Sequence, residues 1–171
     1  DLYQLLLSEA ETQLAALAES WQPQVVGFVW MQGESDACDQ SQANAYFGNL
    51  QSFMTDLRQQ VGVAYLPLAA GLIADQSMWP YAATVRNATN VVSRQLGQME
   101  VVETTDLSRH ASDQAHYDTV GTLTLGQRFA EVMTTMLPME HEFGTGVGAA
   151  QGDGFWLFGE RHAGGGTPMT Y

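Results

Sequence analysis

Two short polar stretches carry the residue types that acyl chemistry needs. The first is Asp113-Gln114-Ala115-His116. An Asp three residues before a His can set its carboxylate on the imidazole Nδ1–H within one turn. That fixes the tautomer, stabilises the imidazolium when it forms, and leaves Nε2 to take a proton from a serine hydroxyl. Taken alone, the same four residues also suit a solvated loop with an N-capping Asp. The second stretch is Gln32-Gly33-Glu34-Ser35-Asp36. Gln32 could donate to an oxyanion, Gly33 permits close backbone approach, and Glu34 could orient the His or another site group. Its plain alternative is a polar turn.

Neither stretch supplies a serine nucleophile. Ser35 is flanked by Glu34 and Asp36, whose charges oppose an alkoxide. Ser108 and Ser112 are too close in sequence to His116 for an in-line site and read as loop hydrogen bonders. Asp106, His110, Asp113 and His116 could bunch, but they lack a compact two-His helical spacing and no Cys joins them, so no metal site is expected. His141 and His162 read as exposed polar residues. Trp156 and Phe158 could stack on a sugar, though docking to the core is their ordinary use.

The surrounding pattern says what must position these residues. Apolar Leu6, Ala10, Leu14, Leu17 and Trp21 predict a helix over 1–21, ended by Pro23. Val25 to Trp30 reads as a buried parallel strand, and Met31 to Gln42 as a polar turn. Leu50, Phe53, Met54, Leu57 and Val61 form a second amphipathic stripe that Gly62 closes. Val63 to Ala70 is a strand candidate weakened by Pro67. Val85, Ala88, Val92 and Leu96 mark a third helix, opened by Pro80 and ended by Gly97. Met99 to Thr105 is the third strand, and Leu107 to Asp118 a polar loop. A last helix runs from Thr119 to Leu137, with Leu125, Phe129, Val132, Met133 and Met136 inward and Pro138 beyond. Such alternation implies an α/β fold with a parallel sheet covered on both faces. Both polar stretches then follow strand ends on one edge, where ligands of parallel sheets bind. Three strands are few for this architecture, so its first strands are expected upstream, and an isolated chain with an open sheet edge is expected to be marginal or aggregation-prone. From Met139 onward the pattern dissolves into a Gly-rich extension, 139–171.

Composition narrows the partners. The formal net charge is -13, with 19 Asp+Glu against 6 Lys+Arg. That opposes nucleic acid and anionic membrane surfaces, both of which need clustered cations. No apolar run reaches the ~18–20 residues of a membrane helix. Cys38 is the one cysteine, so no internal disulfide forms. The chain opens at Asp1 inside a helical pattern and reads as a piece whose N-terminus lies further upstream.

The string Phe28-Val29-Trp30-Met31-Gln32-Gly33-Glu34-Ser35-Asp36-Ala37 resembles the central block of the sialate O-acetylesterase-like domain. That domain belongs with carbohydrate esterase family six, within the SGNH hydrolases. The resemblance runs on through Tyr46, Leu57-Arg58, Leu66-Pro67, the Asp113 to His116 block and Gly126-Gln127-Arg128-Phe129-Ala130, covering residues 1–138. It implies a flavodoxin-like three-layer α/β/α sandwich and hydrolysis of sugar O-acetyl esters, without metal or cofactor. It implies a serine near the first strand as nucleophile, His116 as general base and Asp113 as its orienter. Gln32, Gly33 and Glu34 would line the site and help hold the oxyanion. The chain departs from the family in lacking a G-Q-S-N-type string and in having Met31 where many relatives have His. A secreted or periplasmic location follows by analogy with the substrate class. The rival is a truncated or decayed esterase that binds carbohydrate or protein. The sequence sets no oligomeric state.

Overall fold

The computed structural model describes residues 2–137. The Gly-rich extension, with His141, Trp156, Phe158 and His162, lies outside the described residues. These divide into two compact units, 2–25 and 26–137. The first is helix α1, Leu2–Ala18, closed by Ser20 and Trp21 amides donating to Leu17 O. Leu6, Ala10, Leu14 and Leu17 are its half-buried side, as their spacing predicts, whereas Trp21 lies past the helix end and is exposed.

The second unit opens with strand β1, Phe28–Met31, followed by a 3-10 turn at Asp36–Cys38 and helix α2, Gln40–Val61. Strand β2, Leu68–Gly71, helix α3, Ala82–Leu96, and strand β3, Met99–Val102, come next. The strands lie in the order β1-β2-β3, all parallel, with Phe28 opposite Leu68 and Leu68 opposite Met99. Two short strands, β4 (Arg109–His110) and β5 (Asp113–Tyr117), then pair antiparallel, and helix α4, Thr119–Met136, follows. The polar loop expected over Leu107 to Asp118 is therefore largely a hairpin. Its sequence has no apolar alternation, and its pairing is fixed by partners distant in the chain.

Side chains alternate across the sheet. Phe28 and Trp30 meet Phe53 of α2 at ring-centroid distances of 5.9 and 4.6 Å. Val29, Ala69 and Val102 face the other way and join Leu125, Phe129 and Met133 of α4 in one buried cluster. With α2 and α3 packed on each other, this is a three-layer α/β/α sandwich. The predicted helical stripes are the buried faces: Leu50, Met54 and Leu57 in α2, Val85, Ala88 and Val92 in α3. Met31 lies on the α4 side, filling space that a Cβ on Gly71 would occupy. Met31 thus serves as packing.

The strands are shorter than the apolar runs, for local reasons. Pro67 has no N–H, and its carbonyl accepts the Phe28 amide at 2.9 Å, so β2 begins one residue later. At the far end, Glu103 Oε1 accepts from the Thr104 and Thr105 amides at 2.9 and 3.0 Å, which takes them from the ladder and ends β3 at Val102. Arg58 secures the opposite edge. Its buried guanidinium donates to the carbonyls of Leu66, Leu96, Gly97 and Gln98.

Two further arginines fasten the turn after β3. Arg86 of α3 pairs with Glu103 at 2.6 Å and also donates to Ile73 O. Arg128 of α4 holds both Asp106 oxygens, at 2.7 and 2.6 Å, and the Glu103 carbonyl at 2.7 Å. The Arg86 hydrogen bond is the main cause that lowers the Glu103 pKa from 4.5 to about 2. A carboxylate depressed in the folded state stabilises fully above its unfolded pKa, and that contribution fades as pH falls through the folded value. Thermal melts of Glu103→Gln should therefore depend less on pH between 4.5 and about 2 than the parent's, with the two curves converging at the acid end.

Candidate active site

The site is built from two segments that leave the carboxyl edge of the sheet, one after β1 and one after β3. In the first, Gln32 Nε2 donates to Asp36 Oδ2 at 2.6 Å, and Gln32 O accepts from the Tyr46 hydroxyl at 2.8 Å. An amide nitrogen carries two hydrogens, so the bond to Asp36 orients Gln32 without using its second donor. Gly33 has φ +132°, and a Cβ there would lie 2.8 Å from Val85 Cγ1 and 3.2 Å from the Tyr46 hydroxyl. Only glycine meets both demands. Asp39 caps α2, accepting from the Ser41 and Gln42 amides at 2.9 and 3.0 Å. Burial first, and then the Asp36 charge, push the Tyr46 hydroxyl far above the ordinary tyrosine range, so it remains a neutral donor.

The second segment is the β4–β5 hairpin. Asp113 Oδ2 is hydrogen-bonded to His116 Nδ1, and Asp113 Oδ1 accepts from the Ala115 amide at 2.9 Å. The spacing predicted this contact within a turn; it forms along β5, where the pairing register shifts between Arg109 and His110 and interrupts the regular alternation of side chains. The His116 hydrogen bond, and next the Ala115 amide, hold Asp113 below the ordinary carboxylate range. The two side chains are 46% and 47% exposed, so the pair is open to a substrate or to further protein. Asp113 does not cap α4. Asp118 does, accepting from the Gly121 amide at 2.8 Å and the Ser108 hydroxyl at 2.6 Å. Ser108 is thus a loop hydrogen bonder, as its position suggested. Asp106 is ion-paired to Arg128, and no group of three metal-ligating side chains assembles among the described residues.

Glu34 acts electrostatically on both segments. Its charge contributes to raising both Tyr46 of α2 and Tyr117 of β5, for which burial is the main cause. Tyr117 follows His116 directly and packs on the same core cluster as Met31. Four participants escaped the sequence reading in these roles: Tyr46, Trp79, Arg109 and Tyr117. Arg109 lies over the Tyr117 ring at 4.2 Å and the Trp79 ring at 5.7 Å. No local signal marks this stack: Arg109 is flanked by Ser108 and His110, and the rings it meets, Trp79 and Tyr117, are not its neighbours in the chain.

The layered parallel sheet, covered by α2 and α3 on one face and α4 on the other, defines an α/β/α domain, with the Asp113–His116 pair on the segment that follows β3. Residues 1–135 match the family described as "Carbohydrate esterase, sialic acid-specific acetylesterase", and the chain belongs to that family. Among solved structures it resembles an Arabidopsis thaliana protein, with TM-score 0.69 and 23% identity, covering 80% of this chain and 53% of that one. It also resembles a structure described as a novel carbohydrate acetylesterase from Xanthomonas citri, with TM-score 0.55 and 20% identity, covering 65% of this chain and 26% of that one. At these identities the likeness is one of fold. The chain spans about half the length of the first protein and about a quarter of the second. No curated protein matches.

Two outcomes follow from this geometry. In long-range 1H–15N spectra above the imidazole titration, neutral His116 should be mainly the Nδ1–H tautomer, and Asp113→Ala should return it toward the Nε2–H form that free histidine favours. Gly33→Ala should lower unfolding free energy by about 1–3 kcal/mol in denaturant titrations, from a strained φ and a blocked Cβ.

Proposed function

We propose that residues 1–138 are the C-terminal part of an esterase domain that removes O-acetyl groups from carbohydrate, followed by a Gly-rich extension at 139–171. The observation that carries this reading is the Asp113–His116 hydrogen bond at the carboxyl edge of the sheet. In the reaction, His116 Nε2 takes the proton of a serine hydroxyl as its oxygen attacks the acetyl carbonyl. The tetrahedral oxyanion collapses, and the sugar oxygen leaves with the proton that His116 returns. Water, deprotonated by His116, then attacks the acetyl-serine and releases acetate and the free serine. Asp113 fixes the imidazole and stabilises its cationic form. Gln32 and the Gly33-Glu34 backbone line the acyl position and supply oxyanion donors.

The serine comes from sequence preceding residue 1. Support for this is the absence of a G-Q-S-N-type string in the chain, together with its coverage of only 53% and 26% of the two structures it resembles. The substrate is an acetylated, predominantly neutral carbohydrate, in keeping with the net charge of -13. The setting is secreted or periplasmic, where such polymers occur; no described helix is long and apolar enough to cross a membrane. The same missing string favours a second reading, a decayed esterase that binds carbohydrate without turnover.

p-Nitrophenyl acetate hydrolysis separates the two. A polypeptide extended upstream should turn over, and His116→Ala or Asp113→Ala in it should each cut turnover by on the order of 10³-fold or more. Near-normal turnover in both variants would remove His116 as the base. No turnover in any form of the protein would leave the binding module.

A further inference from the structure

We propose that Arg109 is a positioning residue for His116, locking the segment that carries the imidazole onto the loop that follows β2. The inference rests on the reading of His116 as the general base and adds a residue to that machinery. Arg109 of β4 lies directly opposite Tyr117 of β5. Its guanidinium covers the Tyr117 ring at 4.2 Å and approaches the ring of buried Trp79 at 5.7 Å. Nη1 donates to Ala115 O at 2.9 Å and reaches Gln114 O at 3.5 Å. The Gln76 amide, turned so that both its atoms are satisfied, accepts from Arg109 Nε at 2.9 Å and donates to Gln114 O at 3.2 Å. The two carbonyls immediately before His116 are therefore both held, Ala115 O by Arg109 of the same hairpin and Gln114 O by Gln76 of the β2–α3 loop.

Ala115 is the point where this hold reaches the site. Its carbonyl accepts from Arg109, and its amide donates to Asp113 Oδ1, whose other oxygen holds His116. With both site side chains about half exposed, packing alone cannot fix the imidazole. Its direction depends on the backbone of residues 113–116 and hence on Arg109. No carboxylate lies within ion-pair range of Arg109 among the described residues, in a chain with 19 Asp+Glu. Nη2 is buried with no hydrogen-bond acceptor there. The guanidinium is thus employed as a planar stack and a carbonyl fork, a role that lysine's single ammonium does not reproduce.

The test reads the His116 tautomer in the 171-residue chain, as folded protein, by long-range 1H–15N correlation at pH ~9, above the imidazole titration. Arg109→Ala and Arg109→Lys should each lower the ratio of Nδ1–H to Nε2–H forms about threefold to tenfold, the effect of weakening one hydrogen bond. Asp113→Ala marks the full loss. A purely structural arginine would lower the melting temperature and leave the tautomer ratio of the folded molecules at the parent value, and that result would overturn the proposal. Should Arg109→Ala fail to fold, Gln76→Ala, which removes the other carbonyl's anchor, should shift the ratio in the same direction; a parent ratio in both Gln76→Ala and Arg109→Lys overturns it equally. In the upstream-extended esterase, Arg109→Lys should reduce kcat with KM unchanged. If His116→Ala there keeps full activity while the tautomer still shifts, the catalytic reading fails and the positioning stands; if His116→Ala abolishes activity and the Arg109 variants leave the tautomer unmoved, the reverse holds.

Discussion

Because β1, β2 and β3 run parallel, each must be followed by a crossover, and every carboxyl end emerges on the same edge of the sheet. That constraint delivers the Gln32–Asp36 turn and the Asp113–His116 hairpin, some eighty residues apart, to one side of the molecule. It also imposes the helices, since both faces of a parallel sheet must be covered. Helix α4 covers one face through Leu125, Phe129 and Met133. Gly71 and Gly27 let it come close: a Cβ at either position would collide with a methionine on this face, Met31 or Met133.

The loops at the sheet's two edges are held largely by arginine. All 6 cationic residues of the chain are Arg, with no Lys. Arg58 gathers four carbonyls at the amino edge of the sheet. Arg86, Arg109 and Arg128 hold carbonyls at the carboxyl edge, at Ile73, Ala115 and Glu103. Carbonyls at strand and helix ends have no ladder partner, and a guanidinium offers five donors in a rigid fork to satisfy them. Where a carboxylate joins, as with Glu103 and Asp106, the pair ties a turn to a helix. Such half-exposed pairs are worth little as isolated charges, so their value here lies in fixing the turn that leads into the hairpin.

The site combines rigid and open parts. On the α2 side, Tyr46 is buried and neutral, and with Gly33 it fixes the path of the turn after β1. On the hairpin side, Asp113 and His116 remain about half exposed, while the backbone beneath them is tied down. The acyl transfer proposed here would ask for this division: a base must reach a nucleophile and a bulky sugar ester, yet its tautomer must be set before either arrives.

Apolar spacing in the sequence was enough to place the helices, because a stripe at i, i+3, i+4 and i+7 must face a core whatever that core is. Leu50, Met54, Leu57, Val85, Val92, Leu125 and Phe129 are buried as that periodicity requires. The order of strands and helices, and the Asp113–His116 contact, were equally readable, since both depend on neighbours in the chain. Strand ends were not, because Pro67 and Glu103 redirect individual backbone bonds within longer apolar runs. The β4–β5 hairpin and its Arg109 stack were also hidden. Nothing within residues 107–118 shows that Arg109 will meet Trp79 from another loop, or that Tyr117 will fit the cluster built on Val29 and Phe129. Local chemistry named the candidate groups. Only the parallel sheet, by stacking distant segments on one edge, decided which residues hold them in place.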